Sequence, residues 1–136
     1  MIDVNDLVGK PFVDDPEEGY GPHGYSCYGL LWEVYRRHGI NLPKVNISVT
    51  ACKEASNKEI EKGIARSWER IDNPVVPCGV LIKSTNPDYA NHIGIYVGNG
   101  KMLHVTLSHN VEIARVDDYQ RKIVGFYRYI GAGKEE

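Results

Sequence analysis

No apolar stretch in this sequence approaches the roughly 18 residues that a membrane-crossing helix requires. Nor do lysine and arginine form runs: 16 of them are scattered against 18 Asp and Glu, for a net charge of -2. That pattern argues against nucleic acid as a partner. Cysteine is sparse. Cys27, Cys52 and Cys78 are odd in number and lack C-x-x-C spacing, which points away from a disulfide framework and a zinc knuckle. A Cys52 to Cys78 bridge stays open on spacing alone. The start, Met1-Ile2-Asp3-Val4-Asn5-Asp6, has neither the basic segment nor the apolar core of an export leader, so synthesis and folding in the cytoplasm are expected. Internal repeats and low-complexity tracts are missing too.

What is present is enough for one packed core. With 136 residues, 42% of them hydrophobic, the chain suits a single domain spanning 1–136 better than two. The first two dozen residues, punctuated by Pro11, Pro16, Gly19, Gly21, Pro22 and Gly24, read as an irregular loop with an acidic stretch at Asp14-Asp15 and Glu17-Glu18. Ser26 is a suitable N-cap, and Cys27, Leu30, Leu31, Val34 and His38 share one helical face, so a helix is predicted from Cys27 to about His38, stopped by Gly39 and Pro43. A second, more polar helix is predicted over Ser56 to Ile71, from Ile60, Ile64, Trp68 and Ile71. Beyond it the period changes to two. Val80–Lys83, His92–Val97, Met102–Leu107, Val111–Val116 and Ile123–Tyr129 read as five strands joined by short turns, hence an antiparallel sheet and an α+β domain.

Chemistry concentrates at three residues. Cys27 falls at the predicted helix start, where unpaired backbone N–H groups and the positive end of the macrodipole stabilise a thiolate. His92 and His104 flank a glycine turn, and the loop length decides whether they meet. A two-residue loop, Asn99-Gly100, sets Ile95 opposite His104 and mixes apolar with polar on each face. A three-residue loop, Gly98-Asn99-Gly100, pairs Val97 with Lys101, Ile95 with Leu103 and Ile93 with Val105, a continuous apolar face. His92, Gly94, Tyr96, Met102, His104 and Thr106 then line the other side, where His104 is the diagonal neighbour of His92 at about 7 Å between Cα atoms. The hydrophobic pattern therefore selects the second register. The helix start is expected to pack over this polar face, with His92 as base and His104 orienting it.

Blander readings apply elsewhere. His23, His38 and His109 fall in loops or at a helix end and receive no role, Trp32 and Trp68 read as packing residues, and Cys52 and Cys78 as structural. Cys27 alone would read as core filler, and the catalytic reading rests on its combination with the histidine register. Catalytic zinc is the competing chemistry, with one thiolate and two imidazoles as three ligands, but no fourth ligand stands at a telling spacing. Neither a cofactor nor a metal is expected.

With these residues in place, the chain resembles the NlpC/P60 cell-wall peptidases, a compact papain-like group. The resemblance runs from Gly9-Lys10-Pro11-Phe12 through Gly24-Tyr25-Ser26-Cys27-Tyr28-Gly29-Leu30 to the His92–Gly100 signature, His104 and the closing Val124-Gly125-Phe126-Tyr127-Arg128-Tyr129. It implies N-terminal helices packed on a central antiparallel sheet of about five or six strands. It also implies a Cys27–His92–His104 triad cutting a peptidoglycan stem peptide at a γ-D-glutamyl to diamino-acid bond. Cys-Tyr-Gly-Leu and the following Glu33–Pro43 look like the branch found among phage tail-tip and prophage proteins, which implies phage tail proteins as partners and a place in a virion or release from the cell. In relatives an Asp and a Ser flank the nucleophile and help hold the substrate's amino end; here Ser26 and Tyr28 take those positions. Relatives carry Pro-Tyr where this chain has Pro11-Phe12, so the oxyanion hydroxyl would have to come from Tyr20 or Tyr25. Losing one oxyanion donor costs about 10² to 10³ in rate. The alternatives are a tail-assembly or wall-binding module with a weakened or inactive site, and an amine-accepting acyltransferase on the same fold.

Overall fold

The computed structural model describes residues 3–13, 15, 17–44, 67–83, 92–106 and 109–131. Its organising element is helix α1, Cys27–Arg37, which starts where the sequence places it because Ser26 is extended and its hydroxyl accepts the Gly29 N–H at 2.9 Å. Arg36 and Arg37 occupy the last turn, at the negative end of the dipole. Leu30, Leu31 and Val34 are almost fully buried, as the periodicity requires. Burial goes further round the helix than that stripe, to Tyr28, Gly29, Glu33 and Tyr35, because the N-terminal segment covers a second side.

That segment is irregular, as its prolines and glycines imply, but it is packed. A 3-10 turn at Asn5–Leu7 buries Leu7, and isolated bridges join Phe12 and Tyr20 to Tyr25. Buried Glu33 closes the contact. Arg36 and Arg37 both donate to its carboxylate, and Arg37 reaches on to Asp6 at 2.6 and 2.8 Å. Burial raises the Glu33 pKa, but the hydrogen bonds from Arg36 and Arg37 outweigh it and hold the carboxyl below its usual range.

Among the described residues six strands form one antiparallel sheet: β1 Trp68–Ile71, β2 Cys78–Ile82, β3 His92–Gly98, β4 Lys101–Thr106, β5 His109–Arg115 and β6 Ile123–Tyr129, in the order β1-β6-β2-β3-β4-β5. The five predicted strands are all here. The sixth corrects the second predicted helix, for the chain is helical at Ser67 and extended from Trp68 on, while 56–66 lie outside the described residues. Pairing wins over helical spacing at this point. Trp68 to Ile71 ladder with β6, and the Trp68 ring packs edge-on against Tyr35 and Tyr129 at 5.6 and 5.2 Å. No helix among the described residues is long and apolar enough to cross a membrane.

The sheet buries both faces. Helix α1 packs on the side carrying Ile95, Leu103 and Val105, whereas Val80, Ile82 and Met102 form a second cluster on the other with Tyr96, Tyr119 and Phe126. Helix and loop meet most closely at Gly29, where an added Cβ would stand 1.8 Å from the Gly19 carbonyl oxygen. Helix propensity alone makes Gly29→Ala stabilising by about 1 kcal/mol. The close approach reverses the sign, and urea denaturation should show Gly29→Ala destabilised by about 1–3 kcal/mol; a variant as stable as the parent would contradict this packing.

Candidate functional site

The hairpin between β3 and β4 combines the two loop lengths that the sequence sets in competition. Asn99 and Gly100, both at positive φ (55° and 71°), make a two-residue turn closed by a Gly98–Lys101 pair, not the three-residue loop expected. One step into the hairpin the register shifts, so that Tyr96 pairs with Met102 and Ile95 with Leu103, as the apolar pattern demands. Val97 is the extra residue, a bulge on β3 that replaces the expected Val97–Lys101 pair. The Tyr96 hydroxyl accepts the Gly100 N–H at 3.0 Å and ties the turn to the strand.

In that register the two imidazoles meet. His92 Nε2 and His104 Nδ1 are 3.1 Å apart, with ring centroids at 5.3 Å. Gly94 leaves the space for it: a Cβ there would sit 3.1 Å from the Leu103 carbonyl oxygen, 3.3 Å from Met102 Sδ and 3.5 Å from His104 Cβ. His104 is buried and its Nε2 lies 2.9 Å from Glu112 Oε2, directly across the β4–β5 ladder. Tyr119 presents its ring edge to His104 at 5.2 Å, with its hydroxyl 3.5 Å from Nε2. Sequence reasoning missed Glu112 and Tyr119. The strand alternation that put His104 on the polar face, carried across to β5, would have placed Glu112 beside it.

Helix α1 lies on the opposite side from the expected one. Its apolar stripe packs on the face of Ile95, Leu103 and Val105, since that is where its leucines and Val34 can be buried, and not over the face bearing the histidines. Cys27 is the first residue of α1, a thiol 3% exposed, and His92 is the first residue of β3, a strand against which α1 packs. Cys78 is a second buried thiol, in β2, and burial pushes its pKa up to about 11. Cys52, and with it the bridge left open above, lies outside the described residues.

The remaining sequence-predicted site residues are buried around the helix start and have work there. Ser26 spends its hydroxyl on the cap. The Tyr28 hydroxyl donates to the Pro43 carbonyl at 2.6 Å, and burial raises its pKa well above the usual tyrosine range. Tyr20 packs edge-on against Tyr28 and Trp32, with the Lys44 ammonium 4.9 Å from its ring centre. The Tyr25 hydroxyl lies against Gly21; burial foremost, then the Glu33 charge, raises its pKa.

Electrostatics keep the histidine pair neutral. Burial first, then the neighbouring His104, pushes the His92 pKa down to about 3. Burial lowers that of His104 as well, opposed by Glu112 and helped by His109. A neutral imidazole carries the lone pair that a proton acceptor needs, while the same burial weakens its hold on the proton it takes up. Among the described residues no cluster of three His, Cys, Asp or Glu side chains is arranged to hold a metal ion. His104 already faces Glu112 and His92 through its two nitrogens.

This arrangement, a capped helix opening on a cysteine and packed on a hairpin that pairs two histidines, defines an α+β, papain-like protein. The chain belongs to the NlpC/P60 family, whose pattern it matches over residues 16–128. No curated protein matches it. Solved structures with a similar fold include an NlpC/P60 family protein from Bacillus cereus (19% identity, TM-score 0.59) and NlpC2 from Trichomonas vaginalis (20%, 0.60). A Staphylococcus aureus protein described as similar to lipoprotein, NLP/P60 family, is a third (20%, 0.56). Each alignment covers 92% of this chain but only 37%, 44% and 38% of the respective relative, so the chain spans less than half their length.

The lowered His92 pKa has a measurable consequence. A histidine whose folded pKa lies below its unfolded 6.5 takes up its proton first in the unfolded chain, so stability is full above about pH 6.5 and is lost as pH falls toward 3. The slope approaches 1.4 kcal/mol per pH unit for each such group. Denaturation curves between pH 7 and 4 should be less steeply pH-dependent for His92→Asn than for the parent, and equal slopes would show that His92 titrates normally in the fold.

Proposed function

We propose that the chain is a thiol peptidase of peptidoglycan stem peptides, cutting at a γ-D-glutamyl to diamino-acid bond. The observation that carries this reading is the 3.1 Å His92–His104 pair in an NlpC/P60 chain whose cysteine opens the helix packed on the same hairpin. Cys27 Sγ attacks the amide carbonyl and loses its proton to His92. The backbone N–H of Cys27, at the positive end of the helix dipole, receives the developing oxyanion. His92 then protonates the departing amine as the C–N bond breaks, and later takes a proton from the water that releases the acyl group. His104 orients His92.

Ser26, Tyr20, Tyr25 and Tyr28 shape the substrate's seat with their rings and backbone, since Ser26 and Tyr28 have committed their hydroxyls to the cap and to Pro43. One domain over 1–136 carries the whole site. A second reading, a phage tail-assembly or wall-binding module with little turnover, draws on the 3% exposure of Cys27 and on Ser26, Tyr28 and Phe12 standing where relatives differ. An acyltransferase would use the same thiol and pass the acyl group to an amine.

Digestion of peptidoglycan with muropeptide analysis by mass spectrometry separates these readings. The peptidase reading expects stem peptides cut beside the diamino acid, a loss of at least about 10³-fold in Cys27→Ala and His92→Ala, and no amide product when an amine is added. Transfer to that amine would mark the acyltransferase. No cleavage of any peptidoglycan chemistry, with Cys27 alkylating as sluggishly as Cys78 at pH 7, would leave the binding module.

A further inference from the structure

Glu112 is the polar neighbour of the histidine pair that the proposed chemistry leaves unused. It stands opposite His104 in the β4–β5 ladder, with Oε2 at 2.9 Å from Nε2; the Glu112 side chain is 40% exposed and that of His104 only 3%. An ionised carboxylate can only accept, so the proton between them belongs to His104 Nε2. A neutral His104 then has its lone pair on Nδ1, the atom that faces His92 Nε2 at 3.1 Å. Two lone pairs cannot share that contact, so His92 brings its proton on Nε2 and keeps its basic lone pair on Nδ1.

We infer that Glu112 is a positioning residue that sets the tautomers of both imidazoles through His104, leaving His92 Nδ1 as the atom that takes the proton. The catalytic meaning of this relay rests on the peptidase reading; the tautomers do not. Among the described residues four groups with titratable protons surround His104: His92 from β3, Glu112 and His109 from β5, and Tyr119 from the 3-10 turn Val116–Tyr119. Tyr119 is the rival for Nε2, but at 3.5 Å it is the longer contact. The carboxylate also favours the protonated form of His104, against the pull of burial.

Long-range proton–nitrogen NMR of the protein labelled with 15N-histidine tests the relay, because it reads tautomers without reference to activity. At pH 7 both His92 and His104 are expected as Nε2–H tautomers. Glu112→Ala should turn the His104 signal into a mixture, and Glu112→Gln, whose amide oxygen still accepts, should keep the tautomer while lowering the pH midpoint of His104. Tyr119→Phe should leave the tautomer unchanged. In the peptidase assay Glu112→Ala should lower kcat by about 10- to 100-fold, the usual worth of a partner one step behind a functional imidazole. KM should stay near the parent value, and Glu112→Gln should recover most of the rate. A Nδ1–H tautomer at His104 in the parent, unchanged spectra in Glu112→Ala, or a switch in Tyr119→Phe would each overturn the proposal. The expected spectra in a protein that cleaves nothing would uphold the relay and remove the peptidase reading alone.

Discussion

Strand side chains alternate, so a slip of one residue in the β3–β4 hairpin exchanges the two faces of everything downstream of the turn. The turn that Asn99 and Gly100 favour and the register that Ile93, Ile95, Leu103 and Val105 favour differ by that one residue. Val97 absorbs the difference as a bulge. Without it Ile95 would stand opposite His104, an apolar side chain would replace Gly94 beside the imidazole, and helix α1 would meet a face half covered with polar groups. The bulge therefore serves turn, core and site together, which fits the general use of bulges to re-aim side chains near functional groups.

Given that register, the electrostatics follow from what each face must bury. The leucines and Val34 of α1 take the Ile95–Leu103–Val105 side, which leaves His92 and His104 to the side closed by Met102, Tyr96 and Tyr119. Imidazoles placed there lose hydration, and their neutral forms are favoured. A neutral pair this close needs complementary tautomers, and a carboxylate at one end is the simplest device that supplies them. Glu112 reaches in from a partly exposed position on the edge strand, so its own charge stays largely hydrated while its hydrogen bond acts on a buried ring. This arrangement escapes most of the desolvation penalty that a fully buried carboxylate would incur.

Much of this is legible in the amino-acid sequence. The helix start was plain because cap, apolar period and terminating glycine agreed at Ser26, Leu30 and Gly39, and five of the six strands were plain because a period of two recurs between short turns. The histidine face follows from the apolar pairs that only one of the two registers forms. What escaped has a common cause, in that it depends on partners distant in sequence. Trp68 to Ile71 suit a helix by spacing and become a strand only because Tyr129 and Tyr35 are there to receive them. The N-terminal segment looks like loop by composition, and it packs because Arg37, held by Glu33, reaches Asp6. The side of the sheet that receives α1 is likewise a matter of three-dimensional area, and a polar face that looked like the seat for a catalytic helix proved to have its own cover.

The helix start and the hairpin are held by different means, and that separation bears on how the site withstands change. Ser26, Gly29 and Gly19 secure the cysteine's position through backbone contacts that leave no room for added atoms. The histidines are secured by register, by the cross-strand carboxylate and by tight but adjustable neighbours such as Met102, whose thioether can shift. Substitutions near the thiol should therefore damage fold and chemistry together, whereas substitutions around the imidazoles can alter proton placement while the fold persists. Ser26 and Tyr28 fall in the rigid half, where a change must be compatible with packing before it can alter anything else. The adjustable half is where proton affinity can be tuned, one residue at a time, without disturbing the helix that presents the thiol.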